Sequence, residues 1–278
     1  MQDITEQLIQ QHLKTKVFGR KILYQEEIDS TNTEAKRQAL EENHGLLIIA
    51  EEQTLGRGRR GRSWNSPKGT GIWMSLLLQP KEISIQSEKT VLSAKKASML
   101  TLVTALSVAE AISEETGLEA FIKWPNDIVI NNRKVCGILT EMSADNDGIH
   151  YVVIGIGINV NTREFPEEIR EIATSLWLEQ RKAGIDRASL VAAILGKLEL
   201  YFEQFLEAED LSFLLEEYNK KLVNFGKKVK VLGCDGQEEN SGTAKGINKE
   251  GALLVETEEG LLEVRSGEVS VRGLYGYV

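Results

Sequence analysis

The sequence is poor in the residues that build covalent or metal-held frameworks. Its 278 residues include two cysteines, Cys136 and Cys234, far apart and without metal-ligand spacing. That spacing argues against a disulfide framework or a zinc site, and a reducing cytoplasm is the simplest home. Three histidines, His12, His44 and His150, sit away from every motif, and no Cys/His or Ser/His constellation supplies a nucleophile. Positive charge is not in excess either: 33 Lys+Arg stand against 42 Asp+Glu, for a formal net charge of −9. A general DNA binder or membrane-surface protein depends on a broad positive field, so any anion binding here must be local. No run of about 18 apolar residues is present to span a bilayer. The N-terminus carries Asp3 and Glu6 and no apolar core of signal-peptide length, so the expectation is a protein neither secreted nor membrane-embedded. No internal repeat or low-complexity tract stands out.

What is present is an ordinary globular composition, 41% hydrophobic and 27% charged. The length suits one large domain with a small appendage. Against the acidic background one stretch is conspicuous: Gly56-Arg57-Gly58-Arg59-Arg60-Gly61-Arg62-Ser63-Trp64. Glycine lets the backbone approach a ligand closely, and arginine offers a permanently charged fork that matches phosphate or carboxylate oxygens. These nine residues alone fit an anion-holding loop, a solvated basic turn or a nucleic-acid patch.

Periodicity places a short amphipathic helix at 4–14, within an N-terminal segment of 17 residues, and a strand at 22–24. Thr31 and Glu34 have capping-box spacing at the start of a helix running to about residue 43. Apolar runs at 46–51 and 71–78 read as buried strands, and 93–116 as a long helix. Runs at 121–124, 127–130, 134–142 and 151–160 read as further strands, with a tight turn at Asn131-Asn132. The pattern turns helical again from 187 to 223, with a second helix at about 211–222. Beyond residue 226 five short strands with Gly and Asn turns suit a small barrel. The expected division is 1–225 and 226–278.

Four pieces of this map gather around the loop. Ser30, Thr31 and Asn32 offer hydroxyls and an amide, as a cap or as a grip on a neutral hydrogen-bonding ligand. Gln53 ends a buried strand, either as a second grip or as an ordinary strand-end residue. Lys123-Trp124-Pro125-Asn126-Asp127 is followed by Lys134, and a lysine at a buried strand is unfavourable unless it meets an anion. Asp127 could orient or partly deprotonate an amine, or cap the turn. Gly155-Ile156-Gly157-Ile158-Asn159 leaves room beside a strand but lacks the strand-to-helix context of a dinucleotide fingerprint.

Together these motifs resemble the biotin protein ligases. Gly-Arg-Gly-Arg-Arg-Gly-Arg-x-Trp at 56–64, Lys-Trp-Pro-Asn-Asp at 123–127, Lys-x-x-Gly-Ile-Leu-x-Glu at 134–141, Gly-Ile-Asn at 157–159 and Ser-Gly-Glu-Val-Ser-Val-Arg at 266–272 stand in the family's order. The resemblance implies an α/β (α+β) fold, a class II synthetase-like mixed sheet flanked by helices with an SH3-like C-terminal barrel. It implies activation of biotin by MgATP to biotinyl-5′-AMP and transfer to one lysine of a biotin carboxyl carrier protein. Ser30, Thr31, Asn32, Gln53 and Gly137 would hold the ureido ring, with Arg57, Gly58, Arg59 and Trp64 closing over it. Arg59, Arg62 and Lys134 would face the α-phosphate. Lys123, Asn126, Asp127 and Asn159 would contact ATP or its magnesium, which travels with the nucleotide and needs no protein cage. Trp177, in a loop, would lie near the adenine, and Glu268 and Arg272 would reach over from the barrel. Asp127 would position the acceptor lysine.

Dual-function relatives carry a winged helix-turn-helix ahead of the catalytic domain. Here 29 residues precede Ser30, so ligase activity without sequence-specific DNA binding is expected, and a homodimer is implied by resemblance alone. Two rival readings are a lipoate ligase or lipoyl transferase of the same fold and a non-catalytic biotin-responsive regulator.

Overall fold

The computed structural model describes residues 4–41, 43–79, 84–85, 88–89, 92–146, 148–181, 184–233, 237–266, 270–273 and 277–278. Helix α1 (Glu6–His12) is capped by Thr5, whose side chain accepts from the Leu8 amide, and it buries Ile9. Strand β1 (Ile22–Ile28), helix α2 (Thr31–Gln38) and strand β2 (Leu47–Gln53) form a parallel crossover. Next come β3 (Gly71–Leu78), a small ribbon of β4 (Ser84–Ile85) and β5 (Glu88–Lys89), and the long helix α3 (Ala94–Thr116). Strands β6 (Phe121–Lys123), β7 (Asp127–Ile130), β8 (Arg133–Asp145) and β9 (Gly148–Asn159) complete a sheet of order β1-β2-β3-β9-β8-β7-β6. Apart from the β1/β2 pair its neighbours are antiparallel.

Strand alternation decides what each face of this sheet does. Ile72, Met74 and Leu76 of β3, Ile154, Ile156 and Ile158 of β9, and Cys136 and Ile138 of β8 point to one side. They join a core with α3 and with helix α5 (Arg187–Ala208). The opposite side carries α2, whose Ala35 packs with Ile48, Leu77 and Val153. Beyond those residues Ser75, Gly137, Gly155 and Gly157 leave room on that second face beside Trp73 and Leu139, and there a cleft opens.

Helix α3 is long and apolar enough to cross a membrane by length and composition, which departs from the expectation that no such run exists, but most of it is buried inside the fold. It is the central helix of the core. The predicted hairpin turn is present, with Asn131 and Asn132 both left-handed at φ 49° and 63°.

Two local expectations around α2 fail. Thr31 is not the cap: Ser30 takes that position without a side-chain cap bond, and the Thr31 hydroxyl turns to Gln53 and Ser75. The helix also stops at Gln38 and not near 43. The reason is Gln79, just past β3, whose amide nitrogen donates to the carbonyls of Ala39 and Glu41 and gives those end groups a partner.

After helix α4 (Leu176–Gln180), α5 and helix α6 (Leu215–Lys221), strands β10 (Lys228–Leu232), β11 (Glu238–Ile247), β12 (Leu253–Thr257), β13 (Gly260–Val264) and β14 (Ser270–Gly273) form one antiparallel sheet. It meets the larger sheet near the site, where the Trp124 indole donates to the Gly251 carbonyl at 3.1 Å.

Candidate active site

The first half of the site is a narrow cleft on the sheet face that carries Ser75, Gly155 and Gly157. Gly155 pairs with Ser75 on one side and Leu139 on the other, and Gly157 pairs with Trp73 and Gly137. A methyl group at Gly155 would sit 2.1 Å from Asn32 Oδ1, and one at Gly157 would sit 2.6 Å from Trp64 Nε1. Close approach therefore requires glycine at both positions, which gives a physical reason for the Gly155-Ile156-Gly157 motif.

Polar groups converge on this floor from α2 and β2. The Gln53 carbonyl oxygen accepts from the Thr31 amide (2.9 Å) and hydroxyl (3.1 Å), and its nitrogen donates to Ser66 Oγ at 2.9 Å. Ser75 Oγ lies 2.8 Å from Thr31 Oγ1 and 2.7 Å from Asn32 Oδ1. Thr31, Asn32 and Ser75 are buried.

The glycine-arginine stretch folds back on itself as a short ribbon. The Gly58 amide donates to the Arg62 carbonyl (2.7 Å), and the Trp64 amide to the Gly56 carbonyl (2.9 Å). At the tip Arg60 and Gly61 adopt left-handed conformations, φ 57° and 72°. This geometry lays the Trp64 ring over Gly137 and Gly157, edge to face with Trp73, and its buried Nε1 has no hydrogen-bond partner among the described residues. Arg59 turns inward and donates to Asn126 Oδ1 at 2.7 Å; Asn126 is itself tied to β8 through the Ile138 carbonyl and amide.

The second half is a cleft of about 700 Å³ between the sheet edge, the 162–173 segment and the C-terminal strands. Arg59, Arg62, Lys123, Lys134 and Arg272 all line it. At its centre Asp127, buried, receives Lys134 Nζ at 2.6 Å and the Tyr277 hydroxyl. Burial alone would raise its pKa, but Lys134 and Lys123 outweigh that and hold the carboxyl below its usual range. Lys123 is 7% exposed, and no carboxylate among the described residues lies within ion-pair distance of it. Its ammonium rests 4.2 Å from the Tyr277 ring centroid. Burial depresses its pKa to about 8, and Lys134, Arg272 and Arg59 add to that while Asp127 opposes it. Burial also lowers the pKa of Arg59. This is a cavity short of negative charge.

Most residues singled out from the motifs come together here. Thr31, Asn32, Gln53, Arg57 and Gly137 line the small cleft, Arg62, Lys123, Asp127, Asn159 and Arg272 the large one, and Gly58, Arg59, Trp64, Asn126 and Lys134 line both. Ser30 is buried behind Thr31 and lines neither. Trp177 lines neither cleft and lies in α4, not in a loop, with Arg163 5.1 Å from its ring. Its amide bonds the Val160 carbonyl and fixes it behind β9. Glu268 lies outside the described residues. Sequence reasoning gave no individual role to Ser75, Tyr277, Lys36 or Glu141, although by resemblance the strand at 71–78 would wall the pocket and Glu141 closes the 134–141 motif. Ser75, a lone polar residue inside an apolar strand, was a usable signal; Tyr277 near the C-terminus had none.

Comparison with known proteins fits this geometry. Residues 24–159 match the model of the biotin/lipoate A/B protein ligase family, and residues 225–272 that of the biotin protein ligase C terminal domain. The chain is 38% identical over 273 residues to the bifunctional ligase/repressor BirA of Bacillus spizizenii, covering 96% of this chain and 79% of that protein. The chain belongs to the biotin protein ligase family. Among other members, the biotin–[acetyl-CoA-carboxylase] ligase of Mycobacterium tuberculosis is 31% identical over 81% of this chain and 78% of its own length. The biotin protein ligase of Aquifex aeolicus, solved in complex with biotin and ATP, superposes with a TM-score of 0.75 at 35% identity, covering 91% of this chain and 99% of that one. Membership weighs against the lipoate reading, because the C-terminal match is to a biotin ligase domain.

Proposed function

We propose that this ligase activates biotin with ATP and passes the biotinyl group to a lysine of a biotin carboxyl carrier protein. One observation carries the reading: the two clefts meet at Gly58, Arg59, Trp64, Asn126 and Lys134. A neutral ring held by Thr31, Asn32, Gln53 and Ser75 would send its carboxylate towards Arg59 and Lys134. A triphosphate drawn to Lys123, Arg62 and Arg272 would bring its α-phosphorus to the same point.

The carboxylate then attacks the α-phosphorus, the bond to the bridging oxygen breaks, and pyrophosphate leaves with that electron pair. Negative charge gathers on the pentavalent phosphorus, and the fixed guanidinium and ammonium groups stabilise it more than the ground state. In the second step the neutral acceptor amine attacks the acyl carbon, the bond from that carbon to the phosphate oxygen breaks, AMP leaves with its electron pair, and the surplus amine proton passes to solvent. Asp127, held ionised, orients the amine and is too weak a base to deprotonate it.

Magnesium fits as a companion of the nucleotide. Among the described residues no group of three or more His, Cys, Asp or Glu could hold a metal, and Asp127 is already engaged by Lys134 and Tyr277. Its main ligands would be the phosphates, whose charge it would help neutralise.

The same reading divides the chain into a ligase unit at 1–225 and a C-terminal unit at 226–278, acting in the cytoplasm. A homodimer would form through an edge of the seven-stranded sheet, β1 or β6. Specific DNA binding is not part of the proposal, because a formal net charge of −9 gives no broad positive field for a nucleic-acid backbone.

Incubation with labelled biotin, MgATP and a carrier domain tests the function. Label transfer supports it; transfer of lipoate but not biotin, or binding without transfer, overturns it. Arg59→Ala should lower adenylate formation by about 100-fold, as removal of a preorganised charge at the reacting centre does.

A further inference from the structure

Asn32 is buried, and its two amide ends face different chemistry. Nδ2 donates to Glu141 Oε2 at 2.8 Å and to the Leu139 carbonyl at 3.3 Å. Oδ1 meets Ser75 Oγ at 2.7 Å and lies above Gly155 in the small cleft. Glu141 is held in turn: Lys36, one turn along α2 from Asn32, donates to Oε1 at 2.7 Å. Partial burial would raise the Glu141 pKa, but Lys36, Asn32 and the charge of Arg57 outweigh it, so the group stays an acceptor. A carboxylate offers no proton to Asn32. The opposite amide orientation would set Oδ1 against two acceptors, a buried repulsion in place of two hydrogen bonds.

We propose that Glu141, fixed by Lys36, is a positioning residue that locks the Asn32 amide with its oxygen towards the small cleft and so makes an N–H donor on the ligand ring a condition of binding. This rests on the reading of that cleft as the biotin site. The donor is then one ureido N–H of biotin. Glu141 touches no ligand itself; it acts through Asn32 and sets which hydrogen-bonding pattern the cleft accepts.

Isosteres separate orientation from shape. Replacing either ureido N–H of biotin by a ring oxygen gives two cyclic carbamates of nearly unchanged size that present an acceptor at one position. Titration calorimetry should show wild type binding biotin and losing about 100-fold or more for one of the carbamates, because a buried acceptor is left facing an acceptor. Glu141→Gln preserves shape but can donate to Asn32, so the amide can turn. This variant should bind biotin about 10-fold more weakly and cut the carbamate penalty to within about 10-fold. Its KM for ATP and its kcat at saturating biotin should stay within about twofold of wild type, which a merely structural defect would not do. Lys36→Met should move in the same direction by less. The proposal is overturned by a wild type indifferent to both carbamates, or by Glu141→Gln with unchanged biotin affinity and discrimination. Failure of the wild type to bind biotin at all would instead remove the underlying reading of the cleft.

Discussion

The Tyr277 hydroxyl donates to the carboxylate of Asp127, across 150 residues of sequence, while the Tyr277 ring covers the ammonium of Lys123. One side chain from the end of the chain thus touches two groups of the nucleotide cleft in different ways, and substitutions can separate them. Tyr277→Phe keeps the ring and removes the donor to a charged acceptor. It should leave pyrophosphate release within about twofold and slow transfer to the carrier about 10-fold. Tyr277→Leu should impair both steps. Single-turnover assays of each half-reaction check this, and equal losses in both steps for the Phe variant would contradict the assignment.

The fit of Trp64 over Gly157 leads to a second expectation. Gly157→Ala places a methyl 2.6 Å from the indole nitrogen, so the ring must leave its seat. Biotin affinity should fall about 10-fold or more, since the wall of the cleft is displaced while the surrounding sheet is kept. Calorimetric titration together with tryptophan fluorescence would register both changes.

Beneath the loop lies a buried ion pair. Both oxygens of Glu51 receive Arg187, at 2.8 and 3.0 Å, and they also accept the amides of Ile4 and Gly69. Arg187 donates further to the Gly71 carbonyl. Removing one member leaves the other charge buried without its partner, so Glu51→Gln should destabilise the fold by about 3–5 kcal/mol. Urea unfolding measures this, and the double variant Glu51→Leu/Arg187→Met should recover much of the loss if uncompensated charge is the cause.

The depressed pKa of Lys123 should make activity fall on the alkaline side. As pH rises through about 8 the free enzyme loses this cation, so kcat/KM for ATP should decline there, and Lys123→Arg should carry the profile to higher pH. The stability effect has the opposite sign. The folded value lies below the 10.5 of the unfolded chain, so between about 8 and 10.5 the unfolded state binds more protons. The unfavourable contribution of this buried ammonium therefore shrinks as pH rises through that window. Chemical denaturation of wild type and Lys123→Met across those pH values would reveal the difference.

By itself the sequence determined the elements and the chemistry of the ligands. Local periodicity set β3 at 71–78 and a long helix at 93–116, because side-chain direction in a strand or helix follows from chain spacing alone. The motif order pointed to the two clefts, since arginine and lysine among glycines carry their anion preference wherever they are placed. Tertiary structure alone decided who faces whom. Thr31 could be read as a cap until Gln53 and Ser75 were found beside it, and α2 could run to residue 43 until Gln79 reached across from β3. Tyr277 on Asp127 and Glu141 on Asn32 lie 150 and 109 residues apart in the chain. Nothing in local spacing encodes such pairs; they arise where strand register and helix packing bring distant side chains to one point.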